Sequence, residues 1–389
     1  MREPTMPLTR TSARGNPRLA AIDGLRLIAA LAVAAYHYTV AWRIDGSRVP
    51  EYFLPDTVHA TIYGFLGVEL FFLISGFVIC MSTWGRGLGA FFVSRVSRLY
   101  PAYWAAVLIT ASIGVMFPLL HEPPSLGDVL ANLTMLQQPL GVPLVDGVYW
   151  TLFVELRFYL IIGVVLIWGL TYRRAVLFCA VWMTAAVIAP QLGSPAVDFL
   201  VMSDFAPYFI GGIALYLIHR FGPSPLLFGI TGMAWLVCVA RVQERVASLN
   251  PGFDVPDWPA ILIITGSYAI LLAVALGWTD RITWRWLTVA GALTYPFYLL
   301  HLNIGQTIIR FAYEHTTLPV RVLVLATIVL MLGVSWLVHR FLERPLAGAL
   351  KTSLRQSLDA ISASERPLPH QNLPVYESKP RPVPSGRAQ

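Results

Sequence analysis

The feature that most constrains this chain is a series of about ten apolar segments, each close to twenty residues long. A helix needs about 20 apolar residues to cross the hydrocarbon core of a bilayer. Apolar residues (AVILMFWYC) make up 56% of the chain and charged residues 13%, about half of the roughly 25% that soluble domains carry. The sequence therefore predicts an all-α, polytopic membrane protein, a bundle of about ten transmembrane helices. We place these helices near residues 19–41, 62–81, 91–118, 148–169, 174–190, 205–219, 225–241, 258–277, 286–311 and 319–341.

The two ends of the chain differ from this apolar middle. Residues 1–18 are rich in Pro, Arg and Thr and predict a disordered basic N-terminal arm, while residues 347–389 predict a disordered, Pro-rich cytoplasmic tail. The transmembrane domain is expected to span residues 19–346 between them. Basic residues concentrate in the loops on the side of the two termini, so both termini are predicted to be cytoplasmic.

The composition also excludes several classes of site and partner. The net charge is +7, but the excess is spread over loops and chain ends, so no nucleic-acid partner is predicted. Cys80, Cys179 and Cys238 are single residues in apolar segments and indicate no disulfide framework. The sequence contains no metal-binding motif, and no metal site is expected.

Ionisable residues in the first apolar segment are a functional signal, because a charge inside a bilayer is costly unless it is paired or faces a polar cavity. Arg26 and His37 are 11 residues apart, close to three helical turns, and share one face. The helical rise separates them by about 16 Å along the axis. Two interpretations stay open for each. Arg26 is either an anchor paired with Asp23 or part of a site, and His37 is either a histidine bonded to a neighbouring helix or a reactive group.

Three later segments carry further ionisable residues. Glu69 lies in the second segment, Glu155 in the fourth and His301 in the ninth. If successive helices alternate in direction, these side chains lie near the depth of His37. A polar cluster of the four residues is therefore geometrically possible, and the sequence leaves open whether they share one cavity. Glu155 would alternatively be the structural partner of an arginine.

Two arginines open the third segment at the predicted cytoplasmic face. Arg95 and Arg98 are three positions apart, so their guanidinium groups share a helix face. Guanidinium groups suit phosphate oxygens, which makes the pair a candidate phosphate clamp. The alternative is a positive-inside anchor. A glycine-rich turn at 85–89 precedes the helix, and its backbone N–H groups would also suit phosphate.

The two polar layers together predict a ligand with a polyphosphate head, a long thin arm and a reactive end, and acyl-coenzyme A has this form. A neutral imidazole would take a proton from an acceptor hydroxyl, while a carboxylate would orient the imidazole. Acyl transfer is therefore one hypothesis. A transporter or flippase, whose intramembrane charges line a substrate path, and a catalytically inactive membrane scaffold are the alternatives.

Six sequence blocks, in order over residues 19–346, resemble the acyltransferase-3 family of integral membrane acyltransferases, which modify bacterial surface glycans and some antibiotics. The blocks are Ile22-Asp23-Gly24-Leu25-Arg26 with His37, Gly67-Val68-Glu69-Leu70-Phe71-Phe72 with Ser75, Arg95 to Trp104, Tyr149-Trp150-Thr151-Leu152 with Glu155, Tyr295-Pro296 with Tyr298 and His301, and Glu343-Arg344-Pro345.

This resemblance implies a multi-pass protein of the bacterial inner (cytoplasmic) membrane. It would move an acyl group, in the usual case acetyl, from acyl-CoA to a hydroxyl of a carbohydrate or glycosylated acceptor, with no tightly bound cofactor. The implied site residues are catalytic His37, Glu69 and Glu155, donor-binding Arg26, Arg95 and Arg98, and the further candidates Asp23, Ser75, Trp150, Tyr298 and His301.

The sequence departs from the family pattern at a few places. Glu69 stands where the family commonly has Asp, and Thr151 where it commonly has Ser. Both changes keep the chemistry and affect only the expected geometry of the site. Some family members carry a soluble esterase-like domain after the membrane part, for which residues 347–389 are too few. A separate acceptor-delivery protein is therefore an expected partner, besides acyl-CoA, the acceptor and the lipid bilayer.

Overall fold

The fold is entirely helical in the part of the chain that the computed structural model describes, residues 20–249 and 255–364. The predicted arm at 1–18 and the predicted tail from 365 onward lie outside the described residues. All ten predicted segments are long helices. They are α1 Ala20–Thr39, α2 Gly67–Thr83, α3 Leu88–Met116, α4 Trp150–Ile167, α5 Tyr172–Ile188, α6 Ala206–Phe221, α7 Pro225–Leu249, α8 Trp258–Ala275, α9 Arg285–His315 and α10 Val320–Val338.

Among the described helices, nine are long and apolar enough to cross a membrane. The helix α9 is not one of the nine, although it has 31 residues. Its buried face carries polar side chains, among them His301, Gln306 and Thr307, which lower its mean hydropathy. The prediction of an all-α, multi-pass membrane protein is confirmed. The cytoplasmic placement of the termini stays a prediction.

Short helical segments join the long helices at the ends of the bundle. Proline opens three of them, since a proline at the first helical position loses no hydrogen bond. Ser125 begins another with a capping box, in which its hydroxyl and the Asp128 carboxylate each accept a backbone N–H. The segments are Pro50–Phe53, Pro55–Thr61, Gly64–Leu66, Leu126–Leu133, Gly147–Tyr149, Ala189–Leu192 and Pro195–Val201.

The end of the predicted membrane domain needs a correction. After α10 the chain forms one π-helical turn, His339–Glu343, and then a further helix, α11, Arg344–Ser364. The prediction of disorder from residue 347 is therefore wrong for residues 347–364. Composition suggested a tail, but apolar residues recur here at helical spacing, and the side chain of Leu358 lies against Gly89 at the start of α3.

The centre of the bundle depends on a close crossing of α2 and α6. Every residue of α6 from Ala206 to Ile218 is buried. A Cβ atom added to Gly212 would overlap the backbone of α2 at Leu73, and one added to Gly76 would overlap the backbone of α6 at Phe209. Small residues let membrane helices approach closely and gain van der Waals contact. This crossing fixes α2, which carries the predicted Glu69 and Ser75.

We expect the variant Gly212→Ala to unfold more easily in detergent. Its new methyl group meets the α2 backbone, and overpacking of this kind costs about 1–3 kcal/mol. Gly232→Ala in α7 is the matched control, because a Cβ there has no heavy atom within 4 Å and alanine favours helix. Thermal unfolding followed by tryptophan fluorescence would measure both. Equal stability of the two variants would contradict the close crossing.

Candidate active site

Two histidines from different helices form the centre of the candidate site. The Nδ1 atom of His37 in α1 lies 2.9 Å from the Nε2 atom of His301 in α9. His301 is fully buried, and its Nδ1 atom lies 2.8 Å from the backbone oxygen of Tyr298. The structure therefore brings together two members of the predicted polar cluster.

The packing of α1 against α9 positions this histidine pair. The Tyr38 hydroxyl donates to the backbone oxygen of His301 at 2.5 Å, and the Gln306 amide donates to the backbone oxygen of His37 at 3.0 Å. Gly305 makes room for Tyr38, because a Cβ at this glycine would overlap the tyrosine hydroxyl. Each helix thus holds the backbone of the other beside the reactive rings.

A cavity that we call the arginine cavity lies on one side of the pair. It is lined by the predicted residues Arg26, Ser75, Glu155 and Tyr298, with apolar walls that include Phe71. Its empty volume is about 470 Å³. Four of the predicted site residues therefore share one enclosed space.

A second and larger space, the histidine cavity, has an empty volume of about 2360 Å³. His37 contributes to its wall, whereas none of the other predicted site residues does. Sequence reasoning missed this cavity, since most of its lining comes from loops and helix ends. Its polar lining includes His37, Arg43, His121, Glu122, Asp128, Asn303, Gln306 and Arg310.

The loop after α1 forms part of the rim of the histidine cavity through Arg43 and Gly46. Asp45 holds this loop by accepting the backbone N–H groups of Ser47 and Arg48 at 3.0 and 2.7 Å. The N–H group of Arg48 is the main cause that lowers the pKa of Asp45 below its usual range. The carboxylate therefore keeps its charge, and the turn its hydrogen bonds, well into acid.

Tyr298 lies between the arginine cavity and the histidine pair. Its ring centroid is 5.6 Å from that of His301, and its hydroxyl is 3.0 Å from the Thr151 hydroxyl. Thr151 donates its own proton to the backbone oxygen of Val148 at 2.9 Å. It follows that Tyr298 donates to Thr151. The phenol proton of Tyr298 therefore lies at the wall of the arginine cavity, where Thr151 accepts it.

A buried aspartate that the sequence analysis missed fixes the start of α4 to α9. Asp146 is fully buried and accepts the backbone N–H groups of Val148 and Asn303, both at 3.1 Å. The Asn303 amide in turn donates to the backbone oxygen of Val145 at 2.9 Å. The available signal was an aspartate in the N-cap position before Gly147, which satisfies free backbone donors.

Arg26, one of the three predicted donor-binding arginines, lines the arginine cavity. It is partly buried and lies in the electrostatic field of Arg98, Glu155 and Asp23. Glu155 accepts hydrogen bonds from the hydroxyls of Ser75 at 3.1 Å and Tyr159 at 2.6 Å. The Glu155 carboxylate therefore lies in the wall of the cavity that Arg26 also lines.

Arg95 and Arg98, the other two predicted donor-binding arginines, lie in α3 close to the arginine cavity. The Arg95 guanidinium carbon is 5.9 Å from the Tyr159 ring centroid, and Arg98 donates to Glu343 at 3.1 Å. Glu343 is almost fully buried and also contacts the Nδ1 atom of His339 at 2.8 Å. The side chain of Arg98 is 38% exposed, so its remaining N–H groups stay accessible. Sequence reasoning saw Glu343 only as part of a terminal block.

Glu69 is placed apart from the histidine pair. Its carboxylate forms an ion pair with Arg245 of α7 at 3.0 Å. The Arg245 guanidinium also lies over the rings of Trp150 and Phe205, at 5.6 and 5.4 Å from their centroids. Among the described residues the side chain of His37 has a histidine, and neither predicted glutamate, as its hydrogen-bond partner. The catalytic roles of both glutamates stay predictions.

These features define a multi-pass membrane protein in which His37 and His301 form a pair across two helices, with one cavity lined by His37 and another lined by Arg26 and Glu155. The sequence profile of the acyltransferase-3 family, described as an acyltransferase domain, matches residues 19–340. The protein therefore belongs to the acyltransferase-3 family and is an enzyme that transfers acyl groups. The resemblance inferred from the six sequence blocks is confirmed.

Three known proteins are similar in sequence to this chain. It is 26% identical over 371 residues to the acyltransferase MdmB of Streptomyces mycarofaciens. The aligned region covers 84% of this chain and 91% of MdmB. The chain is 26% identical over 286 residues to the peptidoglycan O-acetyltransferase OatA of Listeria monocytogenes, covering 63% of this chain and 42% of OatA.

It is also 28% identical over 267 residues to the exopolysaccharide production protein ExoZ of Rhizobium meliloti, covering 63% of this chain and 78% of ExoZ. The chain thus spans nearly all of MdmB but less than half of OatA. No solved structure is significantly similar to it.

The ion pair between Glu69 and Arg245 predicts a stability effect that a purely catalytic residue would not show. Removing one partner of a buried pair costs about 3–5 kcal/mol, because the other charge is left unpaired. We expect Glu69→Ala to lower the unfolding temperature strongly, and the double variant Glu69→Met/Arg245→Met to recover much of it. A double-mutant cycle of thermal unfolding in detergent measures the coupling. Wild-type stability of Glu69→Ala would refute the structural role.

Proposed function

We propose that this protein is a membrane-bound O-acyltransferase that moves an acetyl group from acetyl-CoA to a hydroxyl of a carbohydrate acceptor, with His37 as the catalytic histidine. The observation that supports this most is the position of His37. Its side chain lines the histidine cavity and is hydrogen-bonded to His301. His301 in turn packs against Tyr298, which lines the arginine cavity. The names of OatA and ExoZ, which refer to peptidoglycan and exopolysaccharide, favour a glycan as the acceptor. The inner membrane is the proposed location.

The donor would bind at the arginine end of the site. Arg95 and Arg98 would hold the phosphates of coenzyme A, since guanidinium groups bind phosphate through paired hydrogen bonds. The pantetheine arm would extend past Arg26 through the arginine cavity. Arg26 and His37 are about 16 Å apart along α1 by the helical rise, a separation that a long, narrow arm can span. In this arrangement the thioester comes beside Tyr298.

The acceptor would enter from the histidine cavity, whose size accommodates sugar rings. In direct transfer, His37 removes the proton of the acceptor hydroxyl, and the oxygen forms a bond to the thioester carbonyl carbon. The carbon–sulfur bond then breaks, and the coenzyme A thiolate takes the proton from the imidazolium. In a two-step route, His37 first accepts the acyl group as coenzyme A leaves and then passes it to the acceptor oxygen. Both routes give an ester and free coenzyme A.

Tyr298 would stabilise the charge that develops on the carbonyl oxygen. Its hydroxyl already donates to a neutral oxygen, that of Thr151, and a donor aimed at an oxyanion is worth more than one aimed at a neutral acceptor. Glu155 would keep Arg26 extended beside the cavity. Ser75, which donates to Glu155 at 3.1 Å, would orient that carboxylate. A separate delivery protein for the acceptor remains part of the proposal.

The catalytic role of His37 predicts loss of thiol release. Purified protein in nanodiscs would be incubated with acetyl-CoA and a glycan extract of the host, and free thiol measured over time. We expect His37→Ala to lower the rate by at least about 10²-fold, the usual range for losing a general base. His219→Ala is the matched control, since this histidine of α6 is bonded to a backbone oxygen of α8. Wild-type activity of His37→Ala would rule out the proposed role.

The donor site predicts a rise in the KM for acetyl-CoA when its arginines are removed, with thermal unfolding to check that the variant, which leaves Glu343 without Arg98, is folded. We expect the double variant Arg95→Ala/Arg98→Ala to raise the KM for acetyl-CoA about tenfold or more, because two charged hydrogen bonds to phosphate are lost. Arg321→Ala, at the start of α10, serves as the control, because this arginine forms an exposed ion pair with Asp56. Initial rates over a range of acetyl-CoA concentrations measure the effect. An unchanged KM in the double variant would show that the phosphates of coenzyme A do not bind at α3. Movement of a substrate across the membrane without thiol release would instead indicate a transporter.

A further inference from the structure

The hydrogen bonds around His301 determine which nitrogen of each histidine carries a proton. A backbone carbonyl oxygen accepts hydrogen bonds and never donates them. The Nδ1 atom of His301 lies 2.8 Å from the carbonyl oxygen of Tyr298, so this nitrogen is the donor and carries the proton. In a neutral ring only one nitrogen is protonated. The Nε2 atom of His301 is therefore an acceptor.

The same reasoning extends to His37. Its Nδ1 atom lies 2.9 Å from the Nε2 atom of His301, and an acceptor nitrogen requires a donor opposite it. His37 therefore carries its proton on Nδ1. Its Nε2 atom is left with a lone pair and, among the described residues, has no hydrogen-bond partner in the protein. The ring of His37 is half-buried and lines the histidine cavity, so this nitrogen is accessible there.

The contact of His301 with the backbone oxygen of Tyr298 fixes the direction of both hydrogen bonds. A side-chain partner at Tyr298 would be able to rotate or change its protonation, whereas a main-chain oxygen inside a helix does neither. The helix α9 also supplies both the oxygen and His301 within one turn, so their geometry does not depend on another element. The fully buried position of His301 keeps water from replacing either hydrogen bond.

We propose that His301 is a positioning residue that holds His37 in the tautomer with Nδ1 protonated, so that Nε2 is the atom that takes the acceptor proton or the acyl group. This inference rests on the proposed function. It assigns to a second histidine the part that a carboxylate plays in a serine protease triad, where the partner of the ring selects its tautomer. It also accounts for the placement of Glu69 and Glu155 away from His37.

The first test reads the tautomers directly, without substrate. The full chain, labelled with ¹⁵N in the histidine rings, would be examined by NMR in nanodiscs, where protonated and unprotonated ring nitrogens resonate in separate ranges. Difference spectra with His37→Ala and His301→Gln assign the two residues. We expect a protonated Nδ1 and an unprotonated Nε2 for both. A protonated Nε2 on His37 in the wild-type protein would overturn the proposal.

The second test separates positioning from space filling. The amide oxygen of His301→Gln can accept from Nδ1 of His37, so we expect kcat within about tenfold of wild type, as for other replaced hydrogen-bond partners. His301→Leu fills the space without an acceptor, and we expect kcat to fall by about 10²–10³-fold, since a wrong tautomer disables a general base. The KM for acetyl-CoA should stay within about twofold in both, because that value depends on the arginines.

The controls keep this test independent of folding and of the proposed function. His219→Gln should leave kcat and the His37 spectrum unchanged, and thermal unfolding checks that each variant is folded. Full kcat in folded His301→Leu would overturn the positioning role. Absence of thiol release by the wild-type protein would count against the proposed function instead, while the tautomer spectrum would still decide the assignment for His37.

Discussion

The arrangement of this protein depends on one constraint: polar groups inside an apolar bundle must find polar partners. The histidine pair meets this constraint across α1 and α9, and Tyr38 and Gln306 satisfy backbone oxygens beside it. Once these contacts form, the two helices have a fixed register. The ring of His37 then lies in the wall of the histidine cavity. The contacts that satisfy these buried polar groups therefore also fix the position of the ring.

Tyr298 connects the arginine cavity to the histidine pair, because it lines that cavity and its ring packs against His301. Tyr298 and Thr151, which both line the arginine cavity, share one hydrogen bond, and His37 lines the histidine cavity. Asp146 accepts one backbone N–H group at the start of α4 and one in α9. These two hydrogen bonds hold the start of α4, which carries Thr151, next to the part of α9 that carries His301. A donor and an acceptor approaching from opposite sides would meet at a surface that excludes bulk water, which would otherwise hydrolyse a thioester.

The arginine end follows the same rule of paired polar groups, with a different outcome. Arg26 is partly buried among charges of both signs, whereas Arg98 keeps 38% of its side chain exposed and gives only part of its donors to Glu343. A partly engaged guanidinium is oriented and keeps N–H groups free for other acceptors. Glu343 lies in the π-helical turn His339–Glu343, and α11 then packs along α3. The segment after α10 thus helps to fix the position of α3 and of Arg98.

The sequence by itself determined the class of protein, all ten long helices and the family, because apolar length and short motifs are local properties of the chain. It also made a cluster that includes His37 and His301 geometrically possible, since helix direction alternates from segment to segment. Only the tertiary structure decided the partners. Arg245 pairs with Glu69, Glu343 with Arg98, and a histidine rather than a carboxylate with His37. Those choices depend on which helices are neighbours and how each is rotated, and glycine contacts such as Gly212 against α2 set that geometry. Residues 347–364 were misjudged because composition does not show that a surface on α3 is available to pack against them.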